Sequence, residues 1–156
     1  MDSPLGAIKI VGDANAIKMV VFVEEKGEEN EGIIPLVVRK CKKQLHEYFV
    51  GQRKEFNIPV APEGTEFQQQ VWEFLQEIPF GVTSTYAKQA IKLGDIKKIR
   101  AAGTANGKNP IPIIIPCHRV IGSDGSLTGY SGGLDKKAWL LKHEKSMPGM
   151  AQTSLF

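Results

Sequence analysis

Residues 85–106 read TYAKQAIKLGDIKKIRAAGTAN, and the parsing of this stretch decides the fold. Gly94 ends one apolar-periodic run, and Asp95 is placed to cap the next. The stretch therefore splits into two short helices around a tight glycine-containing turn, the second helix being basic. That is the outline of a helix-turn-helix, although any small helical bundle contains such a pair. In the second helix Arg100 is followed by Ala101, Ala102, Gly103, Thr104 and Ala105. Small side chains let a helix backbone come close to what it faces. That can be another helix, or a nucleic-acid groove with Arg100 as the long side chain on the contact face.

Upstream, Thr65 and Gln68 form a capping-box pattern that opens TEFQQQVWEFLQEI. Phe67, Val71, Phe74, Leu75 and Ile78 line one side of this helix, and PFGVTS breaks it. Downstream, the run NPIPIIIPCHRV carries prolines at 110, 112 and 116. Pro110 and Pro112 cannot donate to a sheet ladder, which argues against a regular central strand, and Ile113 to Ile115 are expected inside. GSDGSLTGYSGG is a glycine-rich loop with one aromatic, Tyr130. LDKKAWLLKHEK closes as a helix through Leu134, Ala138 and Leu141.

The front third has a different texture. AIKIVGDANAIKMVVFVEE reads as two strands around a turn at Gly12–Asn15. EEKGEENEGI is a charged loop. Val38, Cys41, Leu45, Tyr48 and Phe49 recur at helical spacing, with Gly51 as a stop, and KEFNIPVAP returns as a short third strand. The expected fold class is α+β. A small N-terminal α/β domain (residues 1–57, a short antiparallel sheet plus a helix) joins through a linker (58–63) to a mostly helical C-terminal domain (64–156). The second domain carries a helix-turn-helix or winged-helix-like unit.

Charge narrows the partner. Across the 156 residues the formal net charge is +3, but residues 1–62 balance, whereas 84–119 hold Lys88, Lys92, Lys97, Lys98, Arg100, Lys108 and Arg119 against Asp95 alone. A polyanion fits such a local excess; so does a solvated lysine-rich helix face. No apolar run is long enough to span a bilayer, and the first residues show no secretory pattern. Two cysteines far apart make no disulfide framework, which points to a reducing interior.

The two thiols differ. Cys41 sits on the apolar side of its helix and reads as a small core residue. Cys117 follows a proline, precedes His118 and Arg119, and lies beside a basic helix. Cationic neighbours lower a thiol's pKa, and the thiolate is the nucleophile. His118 can take the proton directly or through a water, with a carboxylate from the His143–Glu144 pair orienting the imidazole. A buried structural cysteine beside a hydrogen-bonded histidine reads equally well from these residues alone. Cys41, His46, Cys117, His118 and His143 share no familiar zinc spacing, so no metal is expected. Neither Ser84 nor Ser131 sits in a nucleophile-elbow context.

The ordered set GTEFQQQVWEFLQEIPFG, STYAKQA, IRAAGTANGKNP, IPCHRVIG and TGYSGGL…WLLKHE resembles the O6-alkylguanine-DNA alkyltransferase family over residues 64–144. Residues 1–62 resemble its divergent front domain only in outline. The resemblance implies that Cys117 accepts an alkyl group and keeps it, and that His118 and Glu144 are the relay that makes it a thiolate, with a water between sulfur and imidazole. It implies that Arg100 enters the duplex in place of the flipped nucleotide and that Tyr86 pushes the target phosphate. Lys97, Lys98, Ala101, Ala102, Gly103 and Arg119 are then placed at the DNA. Asn109 is the hinge between recognition helix and active-site strand. Tyr130 and Ser131 belong to the loop closing the guanine pocket, Tyr130 also giving a proton or hydrogen bond to the departing base, and Val120 lines that pocket.

The same resemblance implies a single-turnover protein without cofactor, acting as a monomer on double-stranded DNA containing O6-alkylguanine, and leaves open whether O4-alkylthymine is a second substrate. The family's mammalian members carry a zinc in the front domain, but residues 1–62 here offer only Cys41 and His46 as comparable ligands, so no zinc is expected. It would work in the cytoplasm, or in the nucleus of a eukaryote, with no separate transcriptional role. Three other classes bear comparison. Alkyltransferase-like binding modules carry tryptophan where this chain has Cys117. A transcription regulator needs base-reading side chains where this helix shows alanine and glycine. A thiol hydrolase or redox protein has no use for Arg100.

Overall fold

The computed structural model describes residues 1–25, 27, 32–130 and 132–148. The chain is α+β and divides into two compact units, Met1–Glu63 and Gly64–Phe156.

The first unit is built on strands β1 (Asp2–Ser3), β2 (Gly6–Gly12) and β3 (Ile17–Val23), antiparallel in the order β1-β2-β3. Ile8 pairs with Phe22 and Ile10 with Val20. Asp13 shapes the β2–β3 turn, its Oδ1 accepting from the amides of Asn15 at 2.8 Å and Ala16 at 3.0 Å. A Cβ on Gly12 would lie 2.8 Å from the Ala16 carbonyl oxygen, so the turn admits only glycine there. Helix α1 (Leu36–Phe49) covers the sheet with Cys41, Leu45, Tyr48 and Phe49, the i, i+4, i+7, i+8 stripe of an amphipathic helix. Gly51, at φ +82°, ends it in the left-handed region.

The third strand is not where the sequence places it. Residues 54–62 form no strand, and meet the sheet at the parallel bridge Ile17↔Val60, where the Ala61 amide donates to the Ile17 carbonyl at 2.9 Å. Pro59 and Pro62 have no N–H to extend a ladder; Pro59 only accepts, from the Ile17 amide at 2.9 Å. The third position is taken by the two residues of β1, too short a run to show alternation.

The second unit opens on α2 (Glu66–Gln76), capped reciprocally. The Gln68 amide donates to Thr65 Oγ1 at 3.1 Å, and Gln68 Oε1 accepts from the Thr65 amide at 2.9 Å. Val71, Trp72, Leu75 and Ile78 are buried. Strand β4 (Ser84–Thr85) pairs in parallel with β5 (Val120–Ile121). Thr85 then caps α3 (Tyr86–Lys92), its hydroxyl accepting from the Lys88 amide. After Gly94 at φ +109°, Asp95 caps as expected, yet the residues it caps, Ile96–Lys98, form a 3-10 turn, and α4 (Ile99–Gly107) begins only after it.

Helices α3 and α4 are locked by a reciprocal amide pair, Gln89 and Asn106, at 2.9 and 2.7 Å, both side chains buried. The Trp72 indole N–H donates to the Ala105 carbonyl at 2.9 Å, joining α2 to α4. Helix α5 (Leu134–His143) buries Lys137, Leu140 and Leu141, while Leu134, expected inside, is 48% exposed. The inward stripe of α5 is thus shifted from the one the leucines suggest. No helix among the described residues is long and apolar enough to cross a membrane.

Candidate active site

The run between α4 and Cys117 is a tight turn, with the Ile115 amide donating to the Ile111 carbonyl at 2.9 Å. Ile113, 1% exposed, sits at φ +74°. A β-branched residue in that region costs about 1–3 kcal/mol and persists only where its surroundings over-determine it. Asn109 does so from both sides. Its Oδ1 accepts from the Ile111 amide at 2.9 Å, and its Nδ2 donates to the Ile115 carbonyl at 2.7 Å. The buried Asn109 side chain therefore clamps the C-terminal end of α4 to the residues leading into Cys117.

Cys117 opens a 3-10 turn, Cys117–Arg119, directly before β5. The thiol is 6% exposed. Burial pushes its pKa up, against the pull of a hydrogen bond with Asn109 and of the Lys137 charge. The expectation that neighbouring cations lower this thiol's pKa is therefore corrected: desolvation outweighs them, and the cation that acts on the thiol is Lys137.

His118 is fully buried, with Nε2 2.7 Å from Glu144 Oε2. Burial holds its pKa down although Glu144 pulls it up, so the resting ring is neutral. With Nε2–H donated to the carboxylate, Nδ1 is the ring's acceptor. That atom is buried and has no hydrogen-bond partner among the described residues. Burial alone would raise the Glu144 carboxyl; His118 and Arg119 together outweigh it and hold it well below the usual carboxylate range.

Arg119 does not lie on a DNA-facing surface, which corrects the placement the sequence suggests. It is 6% exposed. Its Nε donates to Glu144 Oε1 at 2.8 Å and its Nη2 to Glu144 Oε2 at 3.1 Å. Nη1 donates to the Ile78 carbonyl at 2.6 Å. Three of the five guanidinium N–H groups are thus committed to buried acceptors, and burial keeps the group from a phosphate.

Lys137 is the residue that sequence reasoning missed. Its ammonium is fully buried and donates to the carbonyls of Val120 at 2.7 Å and Thr128 at 2.9 Å and to the Tyr86 hydroxyl at 3.3 Å. Burial lowers its pKa to about 8, with Cys117 pulling the other way. A signal existed: Lys137, Leu140, Leu141 and Glu144 follow i, i+3, i+4, i+7 spacing, so a lysine occupies an inward position of the helix.

Tyr86, at the start of α3, donates to the Thr128 carbonyl at 3.0 Å. Burial raises its pKa, and burial raises that of Tyr130 further. Both phenols are held as proton carriers. Val120 is buried in β5. Ser131 lies outside the described residues.

On α4, Arg100, Ala101 and Thr104 are exposed and Gly103 is half-buried, while Ala102 is fully buried. Ala102 thus packs inward rather than facing a duplex. Lys97 is exposed. Lys98 folds back, its Nζ donating to the Leu93 carbonyl at 2.9 Å, past the C-terminal end of α3. Cys41 is buried, its thiol pushed up to about 12 by burial. Among the described residues no group of three or more histidine, cysteine or acidic side chains could hold a metal ion.

Two family models cover nearly the whole chain. Residues 1–62 match the ribonuclease-like domain of 6-O-methylguanine DNA methyltransferase, and residues 66–146 its DNA binding domain. The methylated-DNA–protein-cysteine methyltransferase of Methanosarcina acetivorans is 48% identical over 153 residues, covering 93% of this chain and 96% of that one. Among solved structures, the Mycobacterium tuberculosis O6-methylguanine methyltransferase superposes with a TM-score of 0.82 at 39% identity, over 99% of this chain and 93% of that one. The M. tuberculosis OGT in complex with DNA gives 0.84 at 41% identity, over 94% and 91%. The chain, with its buried thiol beside a histidine–carboxylate–arginine network and its helix-turn-helix, belongs to the 6-O-methylguanine DNA methyltransferase family.

Proposed function

We propose that this protein repairs DNA by moving the alkyl group of O6-alkylguanine onto Sγ of Cys117, once per molecule. The observation that carries the assignment is the buried pairing of His118 and Arg119, in the same turn as the thiol, with Glu144 at the end of α5, the turn being tied to α4 through Asn109.

The O6 of a stacked, paired guanine cannot meet a protein nucleophile, so the base must leave the helix, at a cost of a few kcal/mol that a poorly paired alkylated base reduces. Arg100, exposed on the small-residue face of α4, enters the minor groove and takes the base's place. The Cys117 proton passes through a water to His118 Nδ1, and Glu144 stabilises the imidazolium that forms. The thiolate attacks the alkyl carbon; a C–S bond forms as the C–O bond breaks, and the electron pair leaves with the base. Tyr130, kept protonated by burial, supplies the proton or hydrogen bond that the departing guanine needs. Lys137 holds Tyr86 and the Thr128 carbonyl in place beside the thiol. The product is a thioether, for which the site offers no leaving path, so the acceptor is consumed. The protein acts as a monomer, in whichever compartment holds the DNA.

Intact mass after mixing with a duplex carrying one O6-methylguanine tests this. The expected product is one methylene heavier, with the gain on the Cys117 peptide and one event per molecule. An unchanged mass in a folded chain that still binds the lesion would make it a recognition module. Arg100→Ala is expected to slow repair in duplex on the order of 10²-fold, the kinetic worth of a few kcal/mol of flipping. Its reaction with free O6-benzylguanine should be almost unchanged. Equal losses on both substrates would remove the flipping role.

A further inference from the structure

The first unit carries a feature that alkyl transfer does not use. On α1, Arg39, Lys42, Lys43 and His46 fall at i, i+3, i+4 and i+7, opposite the buried stripe of Cys41, Leu45, Tyr48 and Phe49. With Met1 and Asp2 they line an open cleft of about 390 Å³. All four side chains are exposed, and none forms a hydrogen bond or ion pair with another described residue. The acid of α1, Glu47, is taken up by Arg53 at 3.3 Å.

We propose that this face of α1 is a second binding site for the phosphodiester backbone of DNA, separate from the recognition helix. Three observations support it. Residues 1–62 balance in charge, so the cluster does not follow from a basic unit; Arg39, Lys42 and Lys43, three of its nine bases, share one face of α1 with His46. From Arg39 to Lys43 the charged row runs roughly 6 Å along the helix axis, enough to meet neighbouring phosphates of one strand at about 3.4 Å of rise each. The shape is an open trough and not a closed pocket, which suits a polymer that passes through. Side chains of this kind contact backbone and carry no sequence information. The site would therefore hold DNA of any sequence, damaged or not, and its use does not depend on the transfer chemistry.

The test compares two variants of equal charge in the full-length chain, Lys42→Gln/Lys43→Gln and Lys9→Gln/Lys18→Gln, the latter on β2 and β3. Affinity for a long undamaged duplex is measured across a salt series, and the lysine amines are mapped by acetylation with and without DNA. The Lys42/Lys43 pair is expected to flatten the slope of log K against log salt by about 1–2. The Lys9/Lys18 pair should change it by less than half as much, and DNA should protect Lys42 and Lys43 from acetylation. Both variants should react with free O6-benzylguanine at the native rate, which verifies the fold. Equal slopes for the two pairs, or unprotected Lys42 and Lys43, would overturn the proposal. So would an effect of the Lys42/Lys43 pair confined to self-association in sedimentation, which would make the face a protein contact.

Discussion

Cys117→Ala is expected to bind an O6-methylguanine duplex as the native chain does and to leave every lesion in place. No other thiol can substitute. Cys41 belongs to the first unit, is fully buried, and its pKa of about 12 keeps it protonated. The substitution removes one sulfur atom from a dry site. It costs stability on the order of 1 kcal/mol, the typical value for a point change, and leaves the Asn109 clamp and the Glu144 network intact. In the proposed mechanism binding comes from α4 and from phosphate contacts, and neither passes through the sulfur. Gel-shift affinity should hold while the intact mass stays constant over prolonged incubation. If the variant fails to bind and its amide exchange shows an ordered fold, Cys117 itself is part of the recognition surface.

Arg119→Ala should produce the largest loss of stability among single changes at the site. The guanidinium contacts both oxygens of Glu144 and the Ile78 carbonyl from a position 6% exposed. Removing it takes the bidentate cation away from a buried carboxylate, and the guanidinium donor away from the Ile78 carbonyl. Breaking one side of a buried pair in this way costs about 3–5 kcal/mol. Denaturant unfolding should show the midpoint falling with little change in slope. The salt dependence of DNA binding, measured well below the new midpoint, should match the native chain. A flattened salt slope with native stability would return Arg119 to the DNA-contacting set.

The parts of the fold that can be read from sequence are those specified over a few residues. Thr65 with Gln68 announces the start of α2, Thr85 precedes α3, and Gly94 with Asp95 marks the turn of the helix-turn-helix. Each capping bond spans two or three residues, so local spacing is enough. The pairing of Cys117 with His118 is likewise adjacent in the chain. What escapes is decided at a distance. Arg119 looks like one more surface cation until Ile78 and Glu144, contributed by residues 41 and 25 positions away, surround it. Lys137 looks solvent-facing beside Lys136 until Val120, Thr128 and Tyr86 supply its acceptors. A buried charge is recognisable only once its partners are known, because burial without them is prohibitive. The left-handed turn at Ile113 belongs to the same class. Nothing in an isoleucine suggests positive φ, and only the clamp from Asn109 makes it tenable.

Helix α5 has a consequence for the order of synthesis. It supplies the Lys137 ammonium, and the residue at its end supplies the Glu144 carboxylate, across 51 residues from Tyr86 and 26 from His118. Chains emerge from the ribosome N-terminal end first. Cys117 and the recognition helix are therefore made well before the groups that complete the site around them. Until α5 has been made and has docked, the nascent thiol has neither its carboxylate-backed histidine nor its neighbouring ammonium. A reagent that can be spent only once is thus armed late, after the residues of α4 have been made.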